Sequence, residues 1–143
     1  MADIVFGDNG GLAFLNAMLN SVFASAGKNL TIKLFVNDYT PAENDTAADY
    51  TEASGAGYAS KELQCGQWDV ALDGDGIPTA SYDKQTWSIT GALDGGATIY
   101  GYWVENADGI FLWAQKLTAI TPDSSGCQYE VPPIFQLSKG TPS

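Results

Sequence analysis

The sequence predicts a mainly β protein, an antiparallel β-sandwich or jelly roll with one short N-terminal amphipathic helix. Apolar residues alternate over Leu30–Val36, and short apolar runs fill the second half of the chain. Asp-Gly and Gly-Gly pairs separate those runs, and such residues accept the positive φ that tight hairpins need. No strand–helix alternation occurs, which argues against a parallel α/β sheet.

The elements follow in order. Leu12, Leu15, Leu19, Val22, Phe23 and Ala26 recur at spacings of three and four, one face of a helix. Asp8 or Asn9 is placed to cap its start and Gly27 to stop it. In Leu30-Thr31-Ile32-Lys33-Leu34-Phe35-Val36 the even positions are aliphatic, as in a strand with one buried face. Asn37 to Pro41 breaks that strand. The polar, Gly-rich stretch Ala42–Ser60 then reads as a long ordered excursion with at most a short strand.

Further strands are expected at Gln67–Leu72, Thr79–Tyr82, Gln85–Thr90, Ala97–Glu105 and Ile110–Leu117. Turns at Asp73–Gly76, Leu93–Gly96 and Asn106–Gly109 separate them. Thr98–Val104 is apolar on both faces, which predicts a central strand covered twice, by a facing sheet and by the helix or another subunit. A last strand over Gln128–Leu137 contains Pro132-Pro133 and must therefore bend, bulge or lie at an edge. The 143 residues show no repeat and no linker, so a single domain over residues 1–143 is expected.

Charge narrows the function. The chain carries 17 Asp plus Glu against 6 Lys, with no Arg and no His, for a net charge of −11. Nucleic-acid binding needs clustered cations on phosphates, and these lysines are scattered. Nucleic acid and anionic membrane surfaces are therefore disfavoured partners. The acidity itself is explained by solubility, or by a surface suited to saline water or a basic partner. No apolar run is long enough to span a bilayer. Leu12–Gly27 resembles a signal sequence, but Met1–Gly11 holds Asp3 and Asp8 and no positive charge, so it reads as a helix. Cys65 and Cys127 are too few for a disulfide framework or a zinc site and read as two small buried hydrophobes.

No catalytic constellation stands out. Without histidine the commonest general base is missing, leaving paired carboxylates as in a glycosidase. Glu43, Glu52, Glu62, Glu105 and Glu130 are the candidates, and none sits in a catalytic pattern. Asp73-Gly74-Asp75-Gly76 looks like the start of a calcium loop. However, Lys84 occupies the twelfth position where a bidentate Glu is required, so a turn is the better reading. No glycine pattern for a phosphate loop is present. Neither metal nor cofactor is expected, and the chain is not expected to be an enzyme. Trp68, Trp87, Trp103 and Trp113, with Tyr100 and Tyr102, sit in or beside strands, where core or interface packing is favoured over a sugar-binding platform.

Several segments together resemble small virion proteins of tailed bacteriophages, including capsid decoration (cement) proteins. They are the amphipathic helix, Leu30–Asn37 with Thr40-Pro41, Tyr50-Thr51-Glu52-Ala53 with Gly55-Ala56-Gly57-Tyr58, and Ile99–Val104 leading into Gly109–Ala114. The resemblance covers most of Gly11–Leu137 and brings no catalytic residues with it. It implies a structural role on the particle surface after synthesis in the host cytoplasm. The expected activity is bridging major capsid subunits, as a homotrimer, since closed cyclic symmetry suits a local three-fold. Leu15, Leu19, Phe23, Tyr50, Tyr58, Pro132 and Pro133 are the expected partner contacts, from the helix, the excursion and the last strand. A tail-fibre or baseplate module that binds a receptor sugar is the alternative.

Overall fold

The structure is a computed structural model that describes residues 8–20 and 29–137. It is mainly β and antiparallel throughout, with one short helix near the N-terminus, as the sequence predicts. The elements are α1 (Asp8–Leu19), β1 (Leu30–Phe35), β2 (Lys61–Leu63), β3 (Asp69–Leu72) and β4 (Pro78–Ser81). After them come β5 (Gln85–Ile89), β6 (Ile99–Glu105), β7 (Phe111–Ile120), β8 (Cys127–Val131) and β9 (Ile134–Gln136). No helix among the described residues is long and apolar enough to cross a membrane.

The chain divides into two compact units. The first holds α1, β3, β4 and β9, and the second holds β1, β2 and β5 to β8. Neither unit is one continuous stretch, so no linker marks their boundaries in the sequence.

In the first unit the sheet order is β3-β4-β9. Asp73 closes the β3–β4 turn, its Oδ1 accepting from the backbone N–H of Asp75 at 2.8 Å and of Ile77 at 2.9 Å. That use of the carboxylate makes Asp73-Gly74-Asp75-Gly76 an Asx-type turn. Helix α1 packs on β3 and β4 with Gly11, Leu15 and Leu19 buried at intervals of four. A Cβ at Gly11 would run into the Pro78 ring, so the helix reaches this strand only because Gly11 has no side chain. The helix begins at Asp8, so Asp8 and Asn9, expected to cap its start, are its first two residues. Val22, Phe23, Ala26 and Gly27, which were expected to continue and end it, lie outside the described residues.

Asn20 locks the unit together beyond the helix. Its side-chain amide donates to the Trp68 carbonyl and its carbonyl accepts from the Trp68 N–H, both at 3.0 Å. This two-way bond imitates a strand pair and ties the helix end to the start of β3.

The second unit contains a four-stranded sheet, β2-β1-β6-β7, and a two-stranded sheet, β5-β8, an arrangement compatible with a sandwich. β6 is central, as its two apolar faces predict, and Gly101 to Glu105 are all buried. Its pairing with β1 sets Ile32 against Val104 and Leu34 against Tyr102, an aliphatic face with Leu34 and Ile32 fully buried. The opposite face carries Lys33, Phe35 and Trp103. Gly101 cannot carry a side chain here, because a Cβ would overlap the Gln115 carbonyl oxygen and meet the Phe35 ring at 2.9 Å.

Four points differ from the expectations. The strand expected over Gln128–Leu137 is two strands. Pro132-Pro133 supplies no ladder donors, and the chain leaves β5 on one side of it and joins β4 on the other. β7 runs on to Ile120, past the expected end at Leu117, with Ile120 paired to Ile99. β2 is a three-residue strand that alternation over so short a span could not reveal. Cys65 and Cys127 are both thiols and both half-buried, more exposed than two core hydrophobes would be.

Candidate interaction surface

The excursion after β1 explains how β6 comes to be covered twice. Asn37 clips its ends, donating to the Asp49 carbonyl at 2.9 Å and accepting from the Thr51 N–H at 2.8 Å. The chain then returns beside β1, with Glu52 bridged to Phe35. Between these points Tyr50 is laid onto the sheet. Its ring stacks on Trp103 and on Phe111, with centroids 5.4 Å away in each case, and meets Phe35 edge-on at 5.1 Å.

Asp45 holds that ring in place. Its carboxylate accepts the Tyr39 hydroxyl at 2.5 Å, the Tyr50 hydroxyl at 2.6 Å and the Ala42 N–H at 2.7 Å. Burial pushes the Asp45 pKa upward, but these three donors outweigh it and hold the carboxyl below its ordinary value. Tyr39 is pushed up to about 12, chiefly because its proton is engaged by Asp45. The second covering of β6 is therefore the chain's own excursion. On this face Tyr50 covers the apolar surface of β6.

Next to this aromatic patch lies an ion cluster. Lys33 Nζ sits 2.9 Å from Glu105 Oε1 and 3.8 Å from Glu52 Oε1. Glu105 Oε2 accepts the Trp103 indole N–H at 3.0 Å, so both oxygens of this buried carboxylate are engaged. Glu105 acts as a strut between β1 and β6. Glu43, Glu62 and Glu130 are exposed. Among the described residues no three His, Cys, Asp or Glu side chains gather as metal ligands would.

The expected contact residues fall into two classes. Leu15 is 0% exposed, Leu19 2% and Tyr50 6%, and Pro133 is fully buried, leaving almost no side-chain area for a partner in this conformation. Tyr58 is half-buried, its hydroxyl oxygen accepting from the Leu34 N–H at 3.1 Å, and Pro132 is exposed. Phe23 lies outside the described residues. The tryptophans do not form an open platform either. Trp68, Trp87 and Trp103 are buried, and Trp113 is half-buried.

Exposed apolar area gathers instead along β7. This strand ends the four-stranded sheet, so one of its backbone edges has no strand partner among the described residues. Ile110 is 59% exposed, Leu112 38% and Ile120 39%. β7 contains no carboxylate, and its one charge, Lys116, is matched by Asp38 at 2.6 Å. Beyond Ile120 the Thr121–Gly126 corner turns the chain, with Gly126 N–H donating to the Asp123 carbonyl at 2.9 Å. β8 then joins β5 instead of β7. The two strands splay from that corner, leaving a groove of about 460 Å3 lined by Leu117, Thr118, Ile120, Gln128, Tyr129 and Glu130.

The opposite edge of the sheet is built differently. β2 has three residues, two of them Lys61 and Glu62, and the Glu52 bridge extends it past a break. Short charged strands are a common way to blunt an edge against unwanted pairing. β7 is longer and carries a single charge, Lys116, although its pairing with β6 shifts register at two places. The sequence held a signal for this in Phe111–Ile120, a long carboxylate-free run, but alternation alone does not say which strand ends a sheet.

Comparison with protein-family models, with curated proteins and with solved structures finds no match.

Proposed function

We propose that this chain is a structural, non-catalytic protein that decorates a larger particle, and specifically a capsid decoration (cement) protein of a tailed bacteriophage. The observation that carries the structural half of this reading is the open apolar edge of β7, a long strand with a single charge, while the opposite edge is short and charged. The chemistry around the carboxylates agrees with it. Both oxygens of Glu105 are held by Lys33 and Trp103, and Asp45 and Asp73 close turns and loops, so their charge supports the fold. The phage half rests on the sequence resemblance over Gly11–Leu137.

In this reading the partner is the major capsid protein, and the working location is the outer surface of the head. The exposed surface offered to it is Ile110, Leu112 and Ile120 of the second unit, in place of the buried Leu15, Leu19, Tyr50 and Pro133. The sugar-binding alternative for a tail fibre or baseplate has less support, because three of the four tryptophans are inside the protein.

Co-sedimentation tests the proposal. The purified chain, mixed with heads that lack it, is expected to pellet at a fixed stoichiometry and to raise the temperature at which the heads rupture. Recovery of all the chain in the supernatant would overturn it.

A further inference from the structure

The open edge of β7 is also complementary to itself. We infer that two copies of this chain pair through their β7 strands, antiparallel and about a two-fold axis, making one continuous sheet across both copies. The inference does not depend on the virion reading: the pairing uses the backbone edge of β7, and the faces of the joined sheet are left for any further partner.

Three features point to a second copy as the occupant. The first is the length of this edge. β7 is ten residues long, or about 33 Å of backbone, and one side of it has no strand partner among the described residues. The second is charge. A basic partner strand would look for carboxylates, and β7 has none. Its single cation is neutralised by Asp38 within the same unit, so the edge is close to neutral in a chain of net charge −11. A neutral edge is the part of such a chain where another copy meets the least repulsion. The third is register. A two-fold that sets Gln115 opposite Gln115 of the second copy places Phe111 opposite Ala119, Leu112 opposite Thr118 and Lys116 opposite Ala114. No like charges stand directly opposite one another, and Leu112 of each copy lies beside the groove that Leu117, Thr118 and Ile120 of the other copy line.

This geometry has an unusual salt signature. The interface contains no ion pair between copies, while the two copies as wholes repel. Added salt screens that repulsion and leaves the ladder and the apolar contacts in place, so the dimer tightens with ionic strength. An interface built on a basic partner would loosen.

Sedimentation velocity on the full chain tests this, at about 50 mM and about 500 mM salt. A dimer is expected, with a dissociation constant that falls as salt rises. The double variant Leu112→Lys, Ile120→Lys places two cations on each exposed edge and is expected to weaken the dimer at least tenfold, with near-ultraviolet circular dichroism unchanged. Where that variant fails to fold, a nitroxide on Gln115→Cys, in a chain with Cys65→Ser and Cys127→Ser, reads the same geometry. The two labelled sites are then close neighbours across the axis, with backbones on the order of 5 Å apart, and strong dipolar broadening is expected. A monomer at both salt concentrations would overturn the inference. So would a trimer, an assembly indifferent to the double substitution, or labels too far apart to broaden.

Discussion

The ring of Tyr50 lies 5.4 Å from that of Trp103, with 23° between their planes. One contact thus joins the excursion after β1 to the central strand of the four-stranded sheet. The same ring stacks on Phe111 at the start of β7, at an interplanar angle of 7°. Three parts of the second unit meet on this one side chain.

Tyr50→Ala removes that join. Truncating a buried aromatic costs about 3–5 kcal/mol, and stacking partners lose their contacts as well. Urea unfolding is expected to show a loss of that order, with a red shift of the Trp103 emission as water reaches the indole. Tyr50→Phe keeps the stack and loses only the bond to Asp45, so its loss is expected to be clearly smaller.

Lys33→Met is expected to destabilise more than Glu105→Gln. Removing Lys33 leaves the buried Glu105 carboxylate with the Trp103 indole N–H but no cation, and breaking a buried pair from one side costs up to about 3–5 kcal/mol. Removing Glu105 leaves Lys33, a quarter exposed, still within reach of Glu52 and water. Chemical denaturation of both variants gives the comparison, and an equal loss would contradict the strut role of Glu105.

Asn20→Ala should loosen the first unit. It removes three side-chain hydrogen bonds, to Asn16 and both ways to Trp68. A typical hydrogen bond contributes about 1 kcal/mol, and the Trp68 N–H and carbonyl each lose the Asn20 partner. Hydrogen exchange is the sensitive readout, with faster exchange of β3 amides expected.

The pH dependence has a definite sign at both ends. Burial raises the pKa of Tyr50 and Tyr58, and burial pushes Tyr129 up to about 12 from its ordinary 10.0. Above pH 10 the unfolded chain ionises these phenols before the folded one does, so stability is full below pH 10 and falls through pH 12. For Lys33, burial lowers the pKa, but the Glu105 hydrogen bond and the charges of Glu52 and Glu105 outweigh it. Its raised pKa gives stability that is present below 10.5 and lost above. Asp45 acts at the other end, its lowered pKa giving stability that is present above 3.8 and lost as the pH falls further. Circular dichroism against pH is expected to show alkaline unfolding together with the appearance of tyrosinate absorbance.

Much of this fold was legible in the sequence wherever the determining chemistry is local. The two apolar faces of Ile99–Val104 marked β6 as central, and Asn106 and Asp73 marked hairpin turns. In both turns the side chain of the first residue accepts the same two backbone N–H groups, at positions two and four ahead. Pro132-Pro133 announced a break. What the prolines could not announce is where each half goes, because pairing with β5 or β4 depends on residues far along the chain. Tyr50 was visible as a residue of interest for the same excursion but was assigned outward. Its stacking partners, Phe35, Trp103 and Phe111, are brought to it only by the sheet. The open edge of β7 was hidden for the same reason, since strand order is a property of the whole sheet.

The claim most in need of a direct measurement is that this chain decorates a phage head. Immunogold labelling, with antibody raised against the purified chain, would be applied to particles produced from the same genome. Gold distributed over the head surface is the expected result. Gold confined to the tail, or particles that carry none, would contradict it.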